Sequence, residues 1–198
     1  MNDEIDSLIS NKTWKLVDIP PSCKTIGCKW VLRKKLKPDG TIDKFKARLV
    51  AKGFKQKIDV DFFDTFSPVT RITSIRLLIA VAAIYDLKIH QIDVKTTFLN
   101  GDLGEEIYMD QLEGFVEFGQ ESKVCKLTKF LYDLKQAPKN WHKKCDSYMI
   151  ENDYKSNECD KCIYYKTWEN SYVIISFHVD DLLIFGSNFH VMKEKKNA

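Results

Sequence analysis

Two neighbouring stretches of the chain, 29–37 and 41–52, combine apolar and cationic residues in strand-like runs, and the second alternates between the two kinds. The turn between them contains Pro38, Asp39 and Gly40, residue types that favour tight turns through a fixed or a positive φ. Because the alternation has the two-residue period of a β-strand, it predicts a hairpin. On its second strand one face is expected to pack, and the other presents a line of cations. The apolar residues are Phe45, Ala47, Leu49 and Ala51, and the cations are Lys44, Lys46, Arg48 and Lys52.

Helical spacing of apolar residues follows in two places. The segment after Ser67 and Pro68 predicts a core-packed helix over about 70–86, and a strand over 87–93 comes next. A second helix is expected from Pro138 to about Asn152, because proline is favoured in a first helical turn. The apolar positions are Ile72, Ile75, Leu78, Ile79 and Ala82 in the first helix and Trp141, Cys145, Tyr148 and Met149 in the second.

Two strongly apolar runs, 172–177 and 182–185, flank the short segment 178–181, which contains Asp180 and Asp181. This pattern predicts a buried hairpin with acids at its tip. The order of strands and helices favours the α+β class, with a sheet that has helices on one face.

The chain contains no apolar run of the roughly 18 residues that a membrane-spanning helix needs, and its first residues include acids where a secretory signal has a basic region. We therefore expect an intracellular protein with no membrane partner. Its six cysteines are expected to be free thiols. A zinc site is the alternative, disfavoured because its two pairs lack the Gly or aromatic residues typical of zinc ribbons. The pairs are Cys23 with Cys28 and Cys159 with Cys162.

The formal net charge of +3 conceals a strong asymmetry. Segment 24–57 has twelve Lys or Arg residues and two acids, so it carries +10 and the remainder of the chain carries −7. A basic lobe beside an acidic remainder indicates a polyanionic partner held over a site that contains carboxylates. A solvated charged face is the alternative for this pattern.

Asp180 and Asp181 need an explanation because the strands around them are so apolar. Aspartates in a turn commonly only accept hydrogen bonds from nearby backbone amides, and that is the simpler alternative. Two carboxylates between apolar strands would, however, repel each other and lose solvation, so a cation is expected beside them. Asp93 is a third acid in a similar setting, at the end of the strand 87–93. Three acids on two strand ends suit a pair of oxygen-bound metal ions, the arrangement used for in-line phosphoryl displacement.

Six short segments form an ordered pattern along the chain. They are WV at 30–31, KARLVAKGF at 46–54, TFSPV at 65–69, QIDVKTTFLNG at 91–101, LKQAP at 134–138 and VDD at 179–181. In this order they resemble the copia-type reverse transcriptase domain of retrotransposons, from about residue 11 to 186. The resemblance implies a right-hand polymerase fold with an antiparallel palm sheet backed by helices. The fingers would be about 11–86 and 118–137, and the palm about 87–117 and 138–198.

The resemblance also implies an RNA-directed DNA polymerase, a nucleotidyltransferase that adds dNTPs to a primer 3′-hydroxyl on an RNA or DNA template. Asp93, Asp180 and Asp181 would be its catalytic carboxylates. With the backbone carbonyl of Val94 they would hold two Mg²⁺ ions, for which Mn²⁺ can substitute. One ion would lower the pKa of the 3′-hydroxyl, and the other would neutralise the leaving pyrophosphate.

Further residues match the substrate contacts of the family. Lys46 and Arg48 match cations that clamp the triphosphate. Phe98 matches a ring that excludes ribonucleotides at the sugar 2′ position, and Gln136 matches a glutamine near the ribose. For the phenylalanine a place in the core is the alternative, and for the glutamine a polar role at a helix start. His178 and Val179, the two residues before the acidic pair, match the primer side of the hairpin.

The chain departs from the family pattern at two informative positions. His178 replaces the usual tyrosine, and Asp133 replaces a glycine, so Asp133 is strained if its backbone needs a positive φ. The thumb, the connection and the ribonuclease H domain are expected to be missing, so synthesis should be poor or absent. In an intact element the partners would be the other Pol domains, integrase and ribonuclease H, in a cytoplasmic virus-like particle.

Two other functions compete with the polymerase. One is a non-catalytic transposon remnant that at most binds nucleic acid through the basic hairpin. The other is a different two-metal enzyme, such as a nuclease or a phosphatase, which is disfavoured because the chain has no further cluster of His and Asp residues.

Overall fold

The computed structural model describes residues 2–94, 97–101, 103–168 and 171–187. The chain divides into two compact units. Unit 1 consists of Met1–Phe66 and Phe98–Trp141, and unit 2 of Ser67–Thr97 and His142–Ala198. Helices and sheets occur together, as the α+β prediction requires. Within the described ranges no helix is both long and apolar enough to span a membrane.

The helices and strands predicted from the sequence are present at closely similar positions, together with others that were not predicted. The three α-helices are α1 (Asn2–Ser10), α2 (Ile72–Ile84) and α3 (Ala137–Glu151). Short 3₁₀ helices cover Gly53–Lys55 and Thr97–Asn100. The strands are β1 (Trp14–Val17), β2 (Thr25–Ile26), β3 (Cys28–Leu36), β4 (Ile42–Ala51), β5 (Lys88–Asp93), β6 (Tyr108–Met109), β7 (Val124–Leu127), β8 (Lys155–Ser156), β9 (Ile163–Trp168), β10 (Ser171–His178) and β11 (Asp181–Gly186).

Unit 1 contains a four-stranded sheet in the order β1-β7-β6-β2 and a separate two-stranded ribbon, β3-β4. Only the β2–β6 pair of the sheet is parallel. A single apolar cluster joins α1, the sheet, the inner end of the ribbon and the segment before α3. Leu49 and Leu131 are its most buried members.

The ribbon is the predicted hairpin. Its turn is closed by hydrogen bonds from the backbone nitrogen of Lys37 to the carbonyl oxygen of Thr41 and from the backbone nitrogen of Gly40 to the carbonyl oxygen of Lys37. The prediction that its whole apolar face packs is wrong in the outer half. Leu49 and Ala51 are buried, whereas Phe45 is 72% exposed. The core cluster of unit 1 takes in only the inner part of the ribbon, so the outer part extends beyond the apolar surface that could cover it.

Unit 2 contains a five-stranded antiparallel sheet in the order β5-β11-β10-β9-β8. Helix α2 packs on this sheet through Ala82, which contacts a cluster that includes Leu87 and Phe185. The prediction of a core-packed helix is wrong for much of its surface, because Ile72 and Ile79 are exposed. The helix is apolar on all sides, but only one stripe meets the sheet.

The N-terminus of α2 is capped by a residue distant in sequence. The N-cap residue Arg71 makes no side-chain capping bond. Instead, one carboxylate oxygen of the buried Asp160 accepts hydrogen bonds from the backbone nitrogen of Arg71 at 3.1 Å and from the hydroxyl of Ser74 at 2.7 Å. The other oxygen accepts a bond from the backbone nitrogen of Cys162 at 3.2 Å. Asp160 therefore joins the start of α2 to the start of β9.

The bounds of the two units differ from those expected for fingers and palm. Helix α2, expected in the fingers, belongs to unit 2 because it packs on the sheet that contains β5 and β11. Residues 98–117, expected in the palm, belong to unit 1. Residues 188–198 of the expected palm lie outside the described part of the chain.

The six cysteines are free, as predicted. Burial raises the pKa of both Cys125 and Cys145 to about 12, so these thiols stay protonated near neutral pH and are poor nucleophiles.

Asp133 has a φ of 68°, which confirms the conditional expectation of strain at this position. Its carbonyl oxygen lies so close to Gly53 that a Cβ on that glycine would be only 1.8 Å away. The backbone at Asp133 is thus held tightly against the 3₁₀ helix that follows the ribbon.

We expect Asp133→Gly to raise the free energy of unfolding by up to about 1 kcal/mol, because glycine adopts a positive φ without steric cost. Urea unfolding followed by circular dichroism measures the change. Asp43→Gly is the control, because Asp43 lies in the extended strand β4, where glycine should only lower stability. Equal losses in both variants would show that Asp133 is not strained.

Candidate active site

Strands β10 and β11 form a hairpin with a two-residue tip, Val179 and Asp180, between the paired residues His178 and Asp181. Val179 has a φ of 56°. In two-residue hairpin loops a positive φ usually belongs to Gly, Asn or Asp, and a β-branched residue is strained there. Such a conformation persists only where the surrounding structure imposes it, and it is concentrated at functional sites.

The three predicted catalytic aspartates meet at one end of the β5–β11 pair. Asp93, the last residue of β5, lies directly opposite Asp181 in the antiparallel register. The backbone nitrogen of Val94 donates a hydrogen bond to the carbonyl oxygen of Asp180 at 3.0 Å. Directly paired residues have Cα atoms about 4.5–5.5 Å apart and project from the same face. Residues far apart in sequence are thereby brought side by side.

Gln91 is a site residue that the sequence analysis missed. Its side-chain nitrogen donates a hydrogen bond to a carboxylate oxygen of Asp181 at 3.1 Å. Gln91 lies two residues before Asp93 on the same face of β5, so the contact crosses diagonally to the neighbouring strand. The two-residue period of the strand could have indicated it.

The donor atoms at this edge suit a hard cation. Carboxylates of Asp93, Asp180 and Asp181 are accompanied by the Val94 carbonyl oxygen, which already accepts a hydrogen bond from the buried Thr97 hydroxyl at 2.8 Å and keeps a second lone pair. Among the described residues, no three His, Cys, Asp or Glu side chains are grouped around one metal position. Mg²⁺ is usually bound by one or two carboxylates together with waters and substrate phosphates. The donor set therefore fits an ion whose shell the substrate completes.

A second cluster, in unit 1, brings together Arg48 and Phe98 of the predicted nucleotide contacts. The buried ring of Phe98 meets the ring of Tyr132 edge-on, with centroids 5.1 Å apart at 86°. The guanidinium carbon of Arg48 lies 5.1 Å from the centroid of the same Tyr132 ring. Arg48 Nε is buried and has no hydrogen-bond partner among the described residues. Tyr132 was not among the predicted site residues, although its aromatic side chain lies two residues before the LKQAP segment.

Gln136 lies in the interior of unit 1, with 1% of its surface exposed. Its carboxamide accepts a hydrogen bond from Gln56 and donates one to the carbonyl oxygen of Asp61, both at 3.1 Å. Gln56 in turn accepts a bond from the backbone nitrogen of Lys135 at 2.9 Å. Gln136 thus ties the start of α3 to the loop after the ribbon. Lys46, the remaining predicted contact, is half-buried on the cationic face of the ribbon.

Comparisons with known proteins identify relatives over almost the whole chain. The family model described as "Reverse transcriptase (RNA-dependent DNA polymerase)" matches residues 11–198. The chain is 48% identical over 189 residues to the retrovirus-related Pol polyprotein from transposon TNT 1-94 of Nicotiana tabacum. This match covers 95% of the chain and 14% of the polyprotein. It is 39% identical over 199 residues to the retrovirus-related Pol polyprotein from transposon RE2 of Arabidopsis thaliana. This match covers 100% of the chain and 14% of the polyprotein.

A third relative is the retrovirus-related Pol polyprotein from transposon RE1 of Arabidopsis thaliana, which is 41% identical over 189 residues. The match covers 95% of the chain and 13% of the polyprotein. The chain therefore spans a small part of the length of these relatives. No solved structure matches the chain.

The contacts around Tyr132 can be measured in a double-mutant cycle. We expect Arg48→Met and Tyr132→Leu to be coupled by about 0.5–1 kcal/mol in the free energy of unfolding, because the single variants each remove the same cation–π contact. Urea unfolding of the two single variants and the double variant gives the coupling. Arg33→Met combined with Tyr132→Leu is the control, because Arg33 lies on the exposed outer ribbon. Additive effects for Arg48 as well would mean that its contact with Tyr132 contributes nothing.

Proposed function

Because the chain belongs to the reverse transcriptase (RNA-dependent DNA polymerase) family of transposon Pol polyproteins, we propose that it carries the polymerase active site of such a polyprotein. The reaction is the addition of dNTPs to a primer 3′-hydroxyl on an RNA or DNA template, by in-line displacement of pyrophosphate. The observation that carries this proposal is the meeting of Asp93, Asp180 and Asp181 at the end of paired strands.

Asp93, Asp180 and Asp181, with the carbonyl of Val94, are the residues that would hold two Mg²⁺ or Mn²⁺ ions. When bound, such ions would lower the pKa of the primer 3′-hydroxyl and neutralise the charge that develops on the phosphates. No side chain has to act as a nucleophile. The role of the protein is to hold the carboxylates in a fixed arrangement. Gln91 contributes to it through its hydrogen bond to Asp181.

Within unit 1 we propose that Arg48 and Lys46 bind the triphosphate of the incoming nucleotide. The buried Arg48 Nε supports this role, because a buried donor with no acceptor among the described residues is free to bond to a phosphate oxygen. Phe98 would exclude ribonucleotides at the sugar, with Tyr132 holding its ring. Gln136 would act on the nucleotide only through the segments that it joins, because its carboxamide is already engaged.

We propose that the ribbon belongs to the fingers and the five-stranded sheet to the palm of a right-hand polymerase. His178 and Val179 would then lie on the primer side of the hairpin. Template, primer and dNTPs are the expected partners, together with the other Pol domains, in an intracellular particle.

The charge pattern of the ribbon favours nucleic-acid binding independently of catalysis. Lys35 lies directly opposite Lys44, and Arg33 directly opposite Lys46. Like charges that face each other across a strand pair destabilise it, and phosphates would relieve this repulsion. A protein that binds nucleic acid through the ribbon without extending a primer is therefore the second candidate function.

We expect Asp180→Asn to lower Mg²⁺-dependent dNTP incorporation at least about 10³-fold, because loss of a metal-binding charge removes several kcal/mol of transition-state stabilisation. Primer extension on an RNA template measures the rate. Asp86→Asn is the matched control, because this exposed carboxylate precedes the opposite end of β5. Equal incorporation by Asp180→Asn and the unchanged chain contradicts the polymerase proposal. Salt-sensitive binding of an RNA–DNA duplex in a filter assay, without any extension, supports the second candidate.

We expect Phe98→Val to lower the preference for dNTPs over rNTPs by about 10- to 100-fold, because the smaller side chain leaves room for a 2′-hydroxyl. The ratio of kcat/KM for the two nucleotides is the measurement. Phe130→Val is the control, because Phe130 is buried in the same core cluster and should affect stability without changing the ratio. If both variants keep the ratio, Phe98 is only a core residue.

A further inference from the structure

Thr70 makes three polar contacts with the strand that leads to the catalytic hairpin tip. It precedes α2 and is 2% exposed. Its hydroxyl donates a hydrogen bond to the carbonyl oxygen of Phe177 and accepts one from the hydroxyl of Ser176 at 3.2 Å. Its carbonyl oxygen lies 3.3 Å from Nδ1 of His178. One buried residue therefore contacts three consecutive residues at the end of β10.

Thr70 is itself held in place by its neighbours. The next residue, Arg71, donates its backbone N–H to the buried carboxylate of Asp160, and Ser74 donates its hydroxyl to the same oxygen. The backbone nitrogen of Phe177 also bonds to the carbonyl of Cys162 at 2.9 Å, next to the turn that Asp160 organises. The backbone next to Thr70 is thus held in place at the N-terminus of α2 by Asp160.

The strand end that Thr70 contacts leads directly into the strained tip. His178 is followed by Val179, whose φ is 56°, and then by Asp180. A positive φ at a β-branched residue is maintained only if the chain on both sides is held. The pairing of β10 with β11 joins the two sides at His178 and Asp181, and Thr70 adds further contacts on the side of His178.

We propose that Thr70 is a positioning residue for the catalytic hairpin. Through the Phe177 carbonyl and the His178 imidazole it holds the tip in the conformation in which Asp180 is bonded to Val94. The role in catalysis rests on the proposed polymerase function, whereas the effect on the tip does not. A carbonyl oxygen can only accept, so the contact with His178 is a hydrogen bond when Nδ1 carries the hydrogen, and the ring is then held on that side.

Thr70→Val tests the proposal, because it removes the hydroxyl while retaining the shape and the backbone carbonyl. In the 198-residue chain we expect kcat for incorporation of a single dNTP to fall about 10- to 100-fold, with KM for the dNTP changing less than about threefold, because a misplaced catalytic group costs rate rather than substrate binding. Thr70→Ser retains the hydroxyl and should restore kcat to within about threefold of the original rate.

Thr13→Val is the matched control. Thr13 is equally buried, and its hydroxyl donates to the carbonyl of Leu8 at 2.8 Å in unit 1. This variant should lose stability as Thr70→Val does but retain kcat. Equal losses of kcat in the two variants, or no rescue by Thr70→Ser, would reduce Thr70 to a stability residue and overturn the proposal.

Amide hydrogen exchange provides a readout that does not need activity. We expect Thr70→Val to accelerate exchange at residues 178–181 and at the Val94 amide about tenfold, and to leave the other strands of the sheet unchanged. If the unchanged chain is inactive and this local acceleration occurs, Thr70 positions the tip whether or not the chain is a polymerase. Uniform acceleration over the sheet, or none, overturns the positioning role.

The strain at Val179 gives a second, independent check. In a Val179→Gly background the tip needs less support, because glycine adopts a positive φ freely. The further effect of Thr70→Val on exchange should then shrink from about tenfold to less than about threefold. A full tenfold effect in that background would show that Thr70 does not act by maintaining the strained tip, and would overturn the proposal.

Discussion

The register between β5 and β11 is the constraint on which the candidate active site depends. Side chains of a strand alternate between faces, so a slip of one residue would turn Asp93 away from Asp181. The register is fixed at the opposite end of the pair, where the fully buried Phe185 lies opposite Ile89 and packs with Leu87 under α2. An ordinary apolar contact therefore determines which polar residues meet about four residues further along the sheet, and the carboxylates need no contact of their own to be aligned.

Local structural rules are broken in several places, and most of these have a functional explanation. Repelling cations face each other on the ribbon, carboxylates crowd the end of β5, and Val179 takes a conformation that suits glycine. Each of these costs stability, and under the proposed function each would be relieved or used by a polyanion, by a cation or by the geometry of a catalytic tip. Asp133 is different, because no part of the proposed function uses its positive φ, and a glycine would adopt that φ without steric cost.

The sequence predicted the elements well because their signals are local. Strand-like runs and their period of two located β3, β4 and β5, two continuous apolar runs located β10 and β11, and helical spacing located α2 and α3. Burial was predicted less well, since the exposure of Phe45 and of α2 depends on whether another surface is present to cover them. The aspartates were found from their apolar setting and from the six-segment resemblance. Asp160 and Thr70 were missed because their partners lie about 90 or more residues away, where no spacing rule applies. Gln91 was missed although the strand period places it on the face of Asp93, because its partner Asp181 is equally distant in sequence.

Directional polar contacts, more than apolar packing, must place the hairpin tip. Helix α2 covers the sheet of unit 2 with a single stripe, and its apolar cluster is small. Apolar contacts tolerate small shifts, because their energy depends on area rather than on angle. Hydrogen bonds between buried groups do not, since each group that loses its partner costs about 1–3 kcal/mol. Thr70, Ser176 and Asp160 are all buried and all engaged, so movement of the strand end would break several bonds at once. The precision that the proposed metal-dependent reaction would require is therefore built into the polar network beneath the tip.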